Sequence, residues 1–126
     1  MVGQILKNNF NLNDKYTLLD GKIVLSGIQA LVRLLLDQHR LDLIAGLNTA
    51  TLVSGYRGSP VGTLDINLIK NRRILDEHNV KFIPGINEDL GATMIYGSQM
   101  ASMVSKLRYD GVLGMWYGKA PGVDRS

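Results

Sequence analysis

Hydrophobic residues along the chain fall at helical spacing in three stretches and form short apolar runs between them. The first helical stretch begins at Ser26-Gly27 and fades over residues 39–42. Its apolar positions recur three and four residues apart, as on one buried face of a helix, at Ile28, Leu31, Val32, Leu35 and Leu36. The second stretch covers residues 64–77 and the third covers residues 90–104.

Three short apolar runs follow these helices or separate them, at residues 51–53, 80–83 and 112–117. Their lengths are those of strands, and Gly, Pro, Asn or Asp residues lie close to their ends. Strands that alternate with helices of several turns are typical of parallel crossover units. From residue 26 onward, the pattern therefore predicts an α/β fold with an open, mostly parallel sheet and helices on both faces.

The beginning of the chain predicts a different kind of segment. Residues 1–15 are polar and indicate an irregular lead-in, and the pair Asp20-Gly21 indicates the turn of a short hairpin. The chain therefore divides into this lead-in, residues 1–25, and an α/β domain, residues 26–126. Because a parallel sheet is covered on both faces and the sequence ends soon after the third strand, we expect the domain to be truncated at its C-terminal end.

Composition excludes several classes of site. The chain has 126 residues and a net charge of +3, which is too small to indicate a nucleic-acid-binding protein. It has no cysteine and two histidines, so disulfides, a thiol nucleophile, cysteine-bound clusters and a His-rich metal site are excluded within this stretch. No apolar run approaches the length of a membrane span, and the N-terminus lacks the apolar core of a secretion signal, so we expect a cytoplasmic protein.

Glycine is concentrated in the later part of the chain, where ten of the 14 glycines lie at or after Gly55. Many lie in the loops that follow the predicted strands, at residues 55–60, 84–89 and 118–126. The carboxyl ends of parallel strands meet at one edge of a sheet, where ligands bind in such folds. Alternatively, Gly and Pro merely terminate the strands. The glycine spacing matches neither a dinucleotide-binding fingerprint nor a Walker loop.

Three motifs in this part of the chain resemble a known family. They are Ser54-Gly55-Tyr56-Arg57-Gly58-Ser59-Pro60, Pro84-Gly85-Ile86-Asn87-Glu88-Asp89-Leu90, and the run from Tyr109 to Arg125 with its Gly-Met-Trp-Tyr-Gly-Lys-Ala-Pro-Gly-Val-Asp-Arg sequence. From about Tyr16 to the last residue, the chain resembles the N-terminal region of the fused indolepyruvate ferredoxin oxidoreductases, which are bacterial 2-oxoacid:ferredoxin oxidoreductases. Ala120 departs from the pattern, since this family usually has Gly there.

The resemblance implies an enzyme that uses thiamine diphosphate, Mg²⁺ and [4Fe-4S] clusters to decarboxylate 2-oxoacids oxidatively to acyl-CoA, with ferredoxin as electron acceptor. In this family two α/β domains share the thiamine site, and the chain resembles the domain that binds the aminopyrimidine ring. Because the Gly-Asp-Gly…Asn motif and the cluster cysteines are absent here, the resemblance places Mg²⁺ and the clusters in further domains of the enzyme. We expect the chain alone to be inactive and the intact enzyme to be a homo-oligomer.

The same resemblance places the activating carboxyl group, which contacts the pyrimidine N1′ and favours its imino tautomer, on Glu88. This chemistry needs a carboxyl group that can hold a proton, which partial burial favours and a helix N-terminus opposes. Asp89 is the rival candidate. A favourable interaction with the helix dipole would explain either residue without any ligand.

The remaining candidates lie in the three loops. The cofactor-binding candidates, besides Glu88, are Gly55, Gly58, Gly85, Asn87, Gly118 and Lys119. The substrate-binding candidates are Arg57, whose guanidinium matches a carboxylate, and Ser59, which has a hydroxyl group. A solvated loop charge and an ordinary turn residue are the alternative interpretations of these two. No metal ligand is predicted within this chain.

Two further functions stay open from the sequence. The first is a non-catalytic α/β interaction module that keeps the fold without the chemistry. The second, more distant, is a nucleotide-binding domain of an unrelated family.

Overall fold

The computed structural model describes residues 14–57, 61–100 and 108–119 of the chain. Within these ranges it contains five helices and three strands. In chain order they are α1 (Asp14–Thr17), α2 (Gly27–Ile44), β1 (Thr49–Gly55), α3 (Leu64–Lys70), α4 (Arg72–Glu77), β2 (Val80–Phe82), α5 (Glu88–Met100) and β3 (Gly111–Tyr117). None of the helices in these ranges combines the length and the hydropathy that a membrane crossing requires.

The three strands form one parallel sheet in the order β2-β1-β3. Val53 in β1 lies beside Phe82 of β2 and Met115 of β3. The predicted α/β fold with an open parallel sheet is therefore confirmed. The helices α3 and α4 connect β1 to β2, and α5 then carries the chain back past β1 to β3. Because the two connections run in opposite directions along the sheet, right-handed crossovers place their helices on opposite faces.

Contacts on the two faces of the sheet agree with this arrangement. Gly114 of β3 faces α5, since a Cβ atom there would lie 2.8 Å from a side-chain carbon of Ile95. Val53 and Tyr117 alternate with Gly114 along the strands and belong to the core on the other face. Helices therefore cover both faces of the sheet, as predicted.

The hydrophobic core lies between that second face and the helices α1 to α4. Its buried members are Tyr16, Val32, Leu35, Leu36, Val53, Leu64, Leu68, Leu75, Val80 and Tyr117. The predicted apolar face of the first helix thus enters the core. This helix begins where predicted because Ser26 and Gln29 form a capping box. The Ser26 hydroxyl accepts from the Gln29 N–H at 3.2 Å, and the Gln29 side chain accepts from the Ser26 N–H at 2.9 Å.

The predicted hairpin in the lead-in is wrong for the residues that the structure describes. The chain forms the helical turn α1, and no strand lies between α1 and α2. The carbonyl groups of this segment are bound by α2 rather than by a paired strand, because Arg33 and Arg40 donate hydrogen bonds to them. Burial of Tyr16 beside α2 anchors the segment further. Asp20-Gly21 is a turn without strands, in which Gly21 has a φ of 102°.

The second predicted helix is interrupted in the structure, and the third begins earlier than predicted. The helix predicted over residues 64–77 is divided into α3 and α4 at Asn71. The Asn71 side chain donates to the Asn67 carbonyl at 2.8 Å, and such a bond competes with regular helix continuation. Helix α5 begins at Glu88 rather than at residue 90. The predicted C-terminal turn of that helix, residues 101–104, lies outside the described residues.

Candidate functional site

The ends of the three strands are joined at the carboxyl edge of the sheet. The Tyr56 N–H donates to the Tyr117 carbonyl at 3.2 Å, which ties the loop after β1 to the end of β3. The Gly85 N–H donates to the Gly55 carbonyl at 2.9 Å, which ties the loop after β2 to the end of β1. The structure thereby brings the described beginnings of the three glycine-rich loops to one edge, as the strand pattern predicts.

Three glycines at this edge form direct backbone contacts. A Cβ atom on Gly91 of α5 would lie 3.2 Å from the Gly55 Cα, and one on Gly85 would lie 3.0 Å from the Gly91 Cα. On its other side, Gly55 is covered by the Tyr117 ring, since a Cβ atom there would lie 2.7 Å from a ring carbon. The backbone of α5 beside Gly85, and the Tyr117 ring and backbone beside Gly55, therefore explain why these two positions lack side chains, without any ligand.

Asn87 has a structural role of its own at the start of α5. Its side-chain oxygen accepts from the Leu90 N–H at 2.9 Å, as an N-cap residue does. The predicted cofactor-binding role of Asn87 is thus unnecessary to explain this residue.

Glu88 lies on the first turn of α5 and is half-buried. The indole N–H of Trp116 donates to the Glu88 carbonyl at 3.2 Å, which attaches this turn to the end of β3. A Cβ atom on Gly118 would lie 3.2 Å from the Glu88 Cγ and 2.7 Å from a ring carbon of Trp116. The structure therefore brings Glu88 and Gly118 together, and a side chain at residue 118 would occupy the space beside Glu88. Asp89 follows Glu88 on the same turn.

Two of the other predicted residues lie close to the same edge. Arg57 lies in the loop after β1 and Lys119 in the segment after β3, and both are exposed. Gly58 and Ser59 lie outside the described residues. Within the described part of the chain, no group of three or more His, Asp or Glu side chains is placed to hold a metal ion.

Three buried oxygen atoms near this edge are unexpected from the sequence. They are Ser54 Oγ, Asp65 Oδ1 and the Tyr117 hydroxyl, and none has a hydrogen-bond partner among the described residues. The pKa of Tyr117 is raised to about 12, chiefly by burial and to a smaller extent by the Asp65 carboxylate, while the Arg57 guanidinium acts to lower it. Tyr117 is 6% exposed, and its ring stacks on Phe82 with a centroid separation of 6.4 Å. Ser54 and Tyr117 lie at the carboxyl ends of β1 and β3, and Asp65 lies on the first turn of α3, so the sequence carries no signal that their oxygens lack partners.

Comparison of the chain with family models, with curated proteins and with solved structures finds no match. The function is therefore inferred from the geometry of the carboxyl edge and from the motifs that form it.

Proposed function

We propose that this chain is the pyrimidine-side half of the thiamine diphosphate site of a 2-oxoacid ferredoxin oxidoreductase of the indolepyruvate type. The observation that carries the proposal is the close approach of Glu88 to Gly118 at the carboxyl edge of the sheet. This approach places the half-buried carboxyl group of Glu88 beside a residue that has no side chain. The two residues come from separate loops, and both loops resemble that family.

In this proposal the residues at this edge bind an aromatic ring. Trp116 binds the backbone of Glu88, so the first turn of α5 is fixed without use of the carboxyl group. The carboxyl group is assigned to the pyrimidine N1′, where it holds a proton, and the ring is assigned to the edge beside Glu88. When bound, thiamine diphosphate supplies the carbon nucleophile that adds to the keto carbon of a 2-oxoacid.

The charged residues of the edge are assigned to anionic groups. In this proposal Arg57 binds the carboxylate of the 2-oxoacid, because a guanidinium fork matches a carboxylate. Lys119 neutralises an anionic part of the ligand, and Ser59 offers a hydroxyl to the substrate. The Mg²⁺, [4Fe-4S], CoA and ferredoxin sites are assigned to other domains, so we expect the 126-residue chain alone not to oxidise indolepyruvate.

The single tryptophan of the chain allows a direct test, because Trp116 lies beside both Glu88 and Gly118. We expect thiamine diphosphate to quench Trp116 fluorescence in a saturable titration of the purified chain. Glu88→Gln keeps the bulk but removes the proton that the carboxyl group shares with N1′, and it should weaken this binding about tenfold. Asp89→Asn is the matched control and should bind within about twofold of the wild type.

A second function is favoured by the structural roles of Gly55, Gly85 and Asn87, which need no ligand. A non-catalytic α/β interaction module would keep these three residues for packing and capping alone. In that case thiamine diphosphate leaves Trp116 fluorescence unchanged at millimolar concentration, or quenches Glu88→Gln as strongly as the wild type. Either outcome would contradict the proposed cofactor site.

A further inference from the structure

The two outer strands of the sheet differ in how well their free sides are protected against pairing with another strand. β2 is three residues long, carries Lys81 at its centre and is followed closely by Pro84. Short length, lysine and proline are features by which natural proteins block such pairing. β3 has seven residues, none of them charged and none of them proline. The free side of β3 (its lateral edge) is therefore open to pairing.

The backbone groups at the lateral edge follow from the pairing of β3 with β1. The Tyr117 carbonyl accepts from the Tyr56 N–H on the β1 side. Because backbone groups alternate in direction along a strand, those of Val112, Gly114 and Trp116 point away from β1. Among the described residues no strand lies beyond β3. The Gln99 side chain donates to the Val112 carbonyl at 3.1 Å, and the other outward groups have no neighbouring strand there.

We propose that the lateral edge of β3 pairs with the same edge of a second copy of the chain, antiparallel about a two-fold axis at Gly114. Gly114 then lies opposite its counterpart, and Val112 lies opposite Trp116 of the second copy. Since the outward groups are symmetric about Gly114, an identical strand meets all of them at once, as a two-fold interface requires. The Val112 carbonyl has a second lone pair for the additional donor.

The side chains of β3 suit this pairing on the core face of the sheet. Leu113 lies beside Thr51 of β1, yet it is 42% exposed. In the proposed register it lies opposite Met115 of the second copy, which makes an apolar cross-strand pair. Because β3 has no charged residue, the pairing brings no like charges together.

Helix α5 suits the same pairing on the other face. It packs over both β1 and β3, since Gly91 approaches Gly55 and Ile95 approaches Gly114. The α5 helices of two edge-paired copies are therefore separated by two strand spacings, or about 10 Å, which is a normal distance between packed helices. Tyr96 is 66% exposed and lies one turn before Gln99, on the side of α5 toward the lateral edge. The second helix would cover it.

Sedimentation equilibrium of the 126-residue chain tests this inference. We expect a reversible dimer with twice the mass of the 13.9 kDa chain, and no larger species, because the protected sides of β2 end the joined sheet. Leu113→Lys places a charge beside the lateral edge and should raise the dimer dissociation constant at least about tenfold. Ile66→Lys is the matched control, at a residue 59% exposed on α3, and should change that constant less than about twofold.

Amide hydrogen exchange of the isotope-labelled chain shows which surface pairs. The Gly114 and Trp116 N–H groups should exchange at least about tenfold more slowly in concentrated than in dilute wild type, and quickly in Leu113→Lys at either concentration. The Phe82 N–H, which points outward from β2, should exchange at one rate throughout. The Met115 N–H points toward β1 and should stay protected in every sample, which shows that the variant remains folded.

A chain that stays monomeric at millimolar concentration, or one that forms larger species than a dimer, would overturn the proposal. A dimer in which the Gly114 and Trp116 amides exchange as fast as in Leu113→Lys would also overturn it, since its interface would lie elsewhere. A monomer with slow exchange at both amides would contradict it too, because the chain itself would then cover the lateral edge. None of these outcomes involves thiamine diphosphate, so the inference and the proposed function can fail separately.

Discussion

The two edges of the sheet use polar residues in different ways. At the amino edge, polar groups bind one another: Thr49 donates to Asp42 at 2.7 Å, and the Asn48 N–H is bound by Asp110 at 2.7 Å. At the carboxyl edge, the oxygens of Ser54, Asp65 and Tyr117 are buried without partners among the described residues. The comparison shows which polar groups are hydrogen-bonded within the fold and which are buried without a described partner.

The amino edge also ties neighbouring elements together through Asn79. This residue has a φ of 57°, a left-handed conformation that Asn adopts more readily than most residues. Its side chain donates to the Thr49 carbonyl at 3.2 Å and lies 3.4 Å from the His39 Nε2. The His39 Nδ1 is the exception at this edge, because it is buried without a described partner. The polar groups named at the amino edge are therefore hydrogen-bonded to one another, with the exception of His39 Nδ1.

The largest effect that we expect comes from Gly55→Ala at the carboxyl edge. The new Cβ atom would meet the Tyr117 backbone and ring, while the α5 backbone blocks movement the other way. We expect a loss of about 3 kcal/mol in the free energy of unfolding, measured by urea denaturation. Gly97→Ala in the same helix α5 is the control, because nothing lies within 4 Å of its Cβ position, and it should be stabilising by about 0.5 kcal/mol. Equal stabilities of the two variants would show that the close contact at Gly55 does not contribute to the stability of the fold.

A smaller effect, which depends on pH, is expected at the amino edge. Burial lowers the pKa of His39 below its ordinary value of 6.5, His78 and Arg40 lower it further, and Asp42 opposes them. The folded chain therefore binds fewer protons here than the unfolded chain, so this contribution to stability is complete above pH 6.5 and is lost as the pH falls below it.

The measurement is the free energy of unfolding at pH 7.5 and at pH 5.5. The wild type should be less stable at the lower pH, and His39→Gln should reduce that difference. His78→Gln should retain most of it, because burial of His39 is the principal cause of the shift. If the free energy of unfolding of His39→Gln depended on pH as strongly as that of the wild type, protonation of His39 would not be the cause of the pH dependence.

Periodicity and strand spacing were sufficient to predict the parallel sheet, the first helix and the common edge of the three loops. They were insufficient for the lead-in, because its backbone is held by Arg33 and Arg40 from a distant helix rather than by a local partner. Loop glycines carry the same ambiguity. A glycine that allows a helix to pack closely, such as Gly85, cannot be distinguished by sequence from a glycine that makes room for a ligand.

The sequence also did not predict the buried oxygen atoms that lack hydrogen-bond partners among the described residues. Tyr117 fits an apolar strand pattern, and Asp65 fits the acidic first turn of a helix, so each has an ordinary local explanation. Only the three-dimensional arrangement shows that their oxygens meet no partner among the described residues.

The most direct test of the central claim is a map of backbone amide shifts when thiamine diphosphate and pyruvate are added together to the labelled chain. We predict shifts at residues 54–57, 85–90 and 116–119 of the carboxyl edge, with the amino-edge residues Asp42, Asn48, Asn79 and Asp110 unchanged. Shifts centred on the amino edge, or no saturable shifts at either edge, would contradict the account.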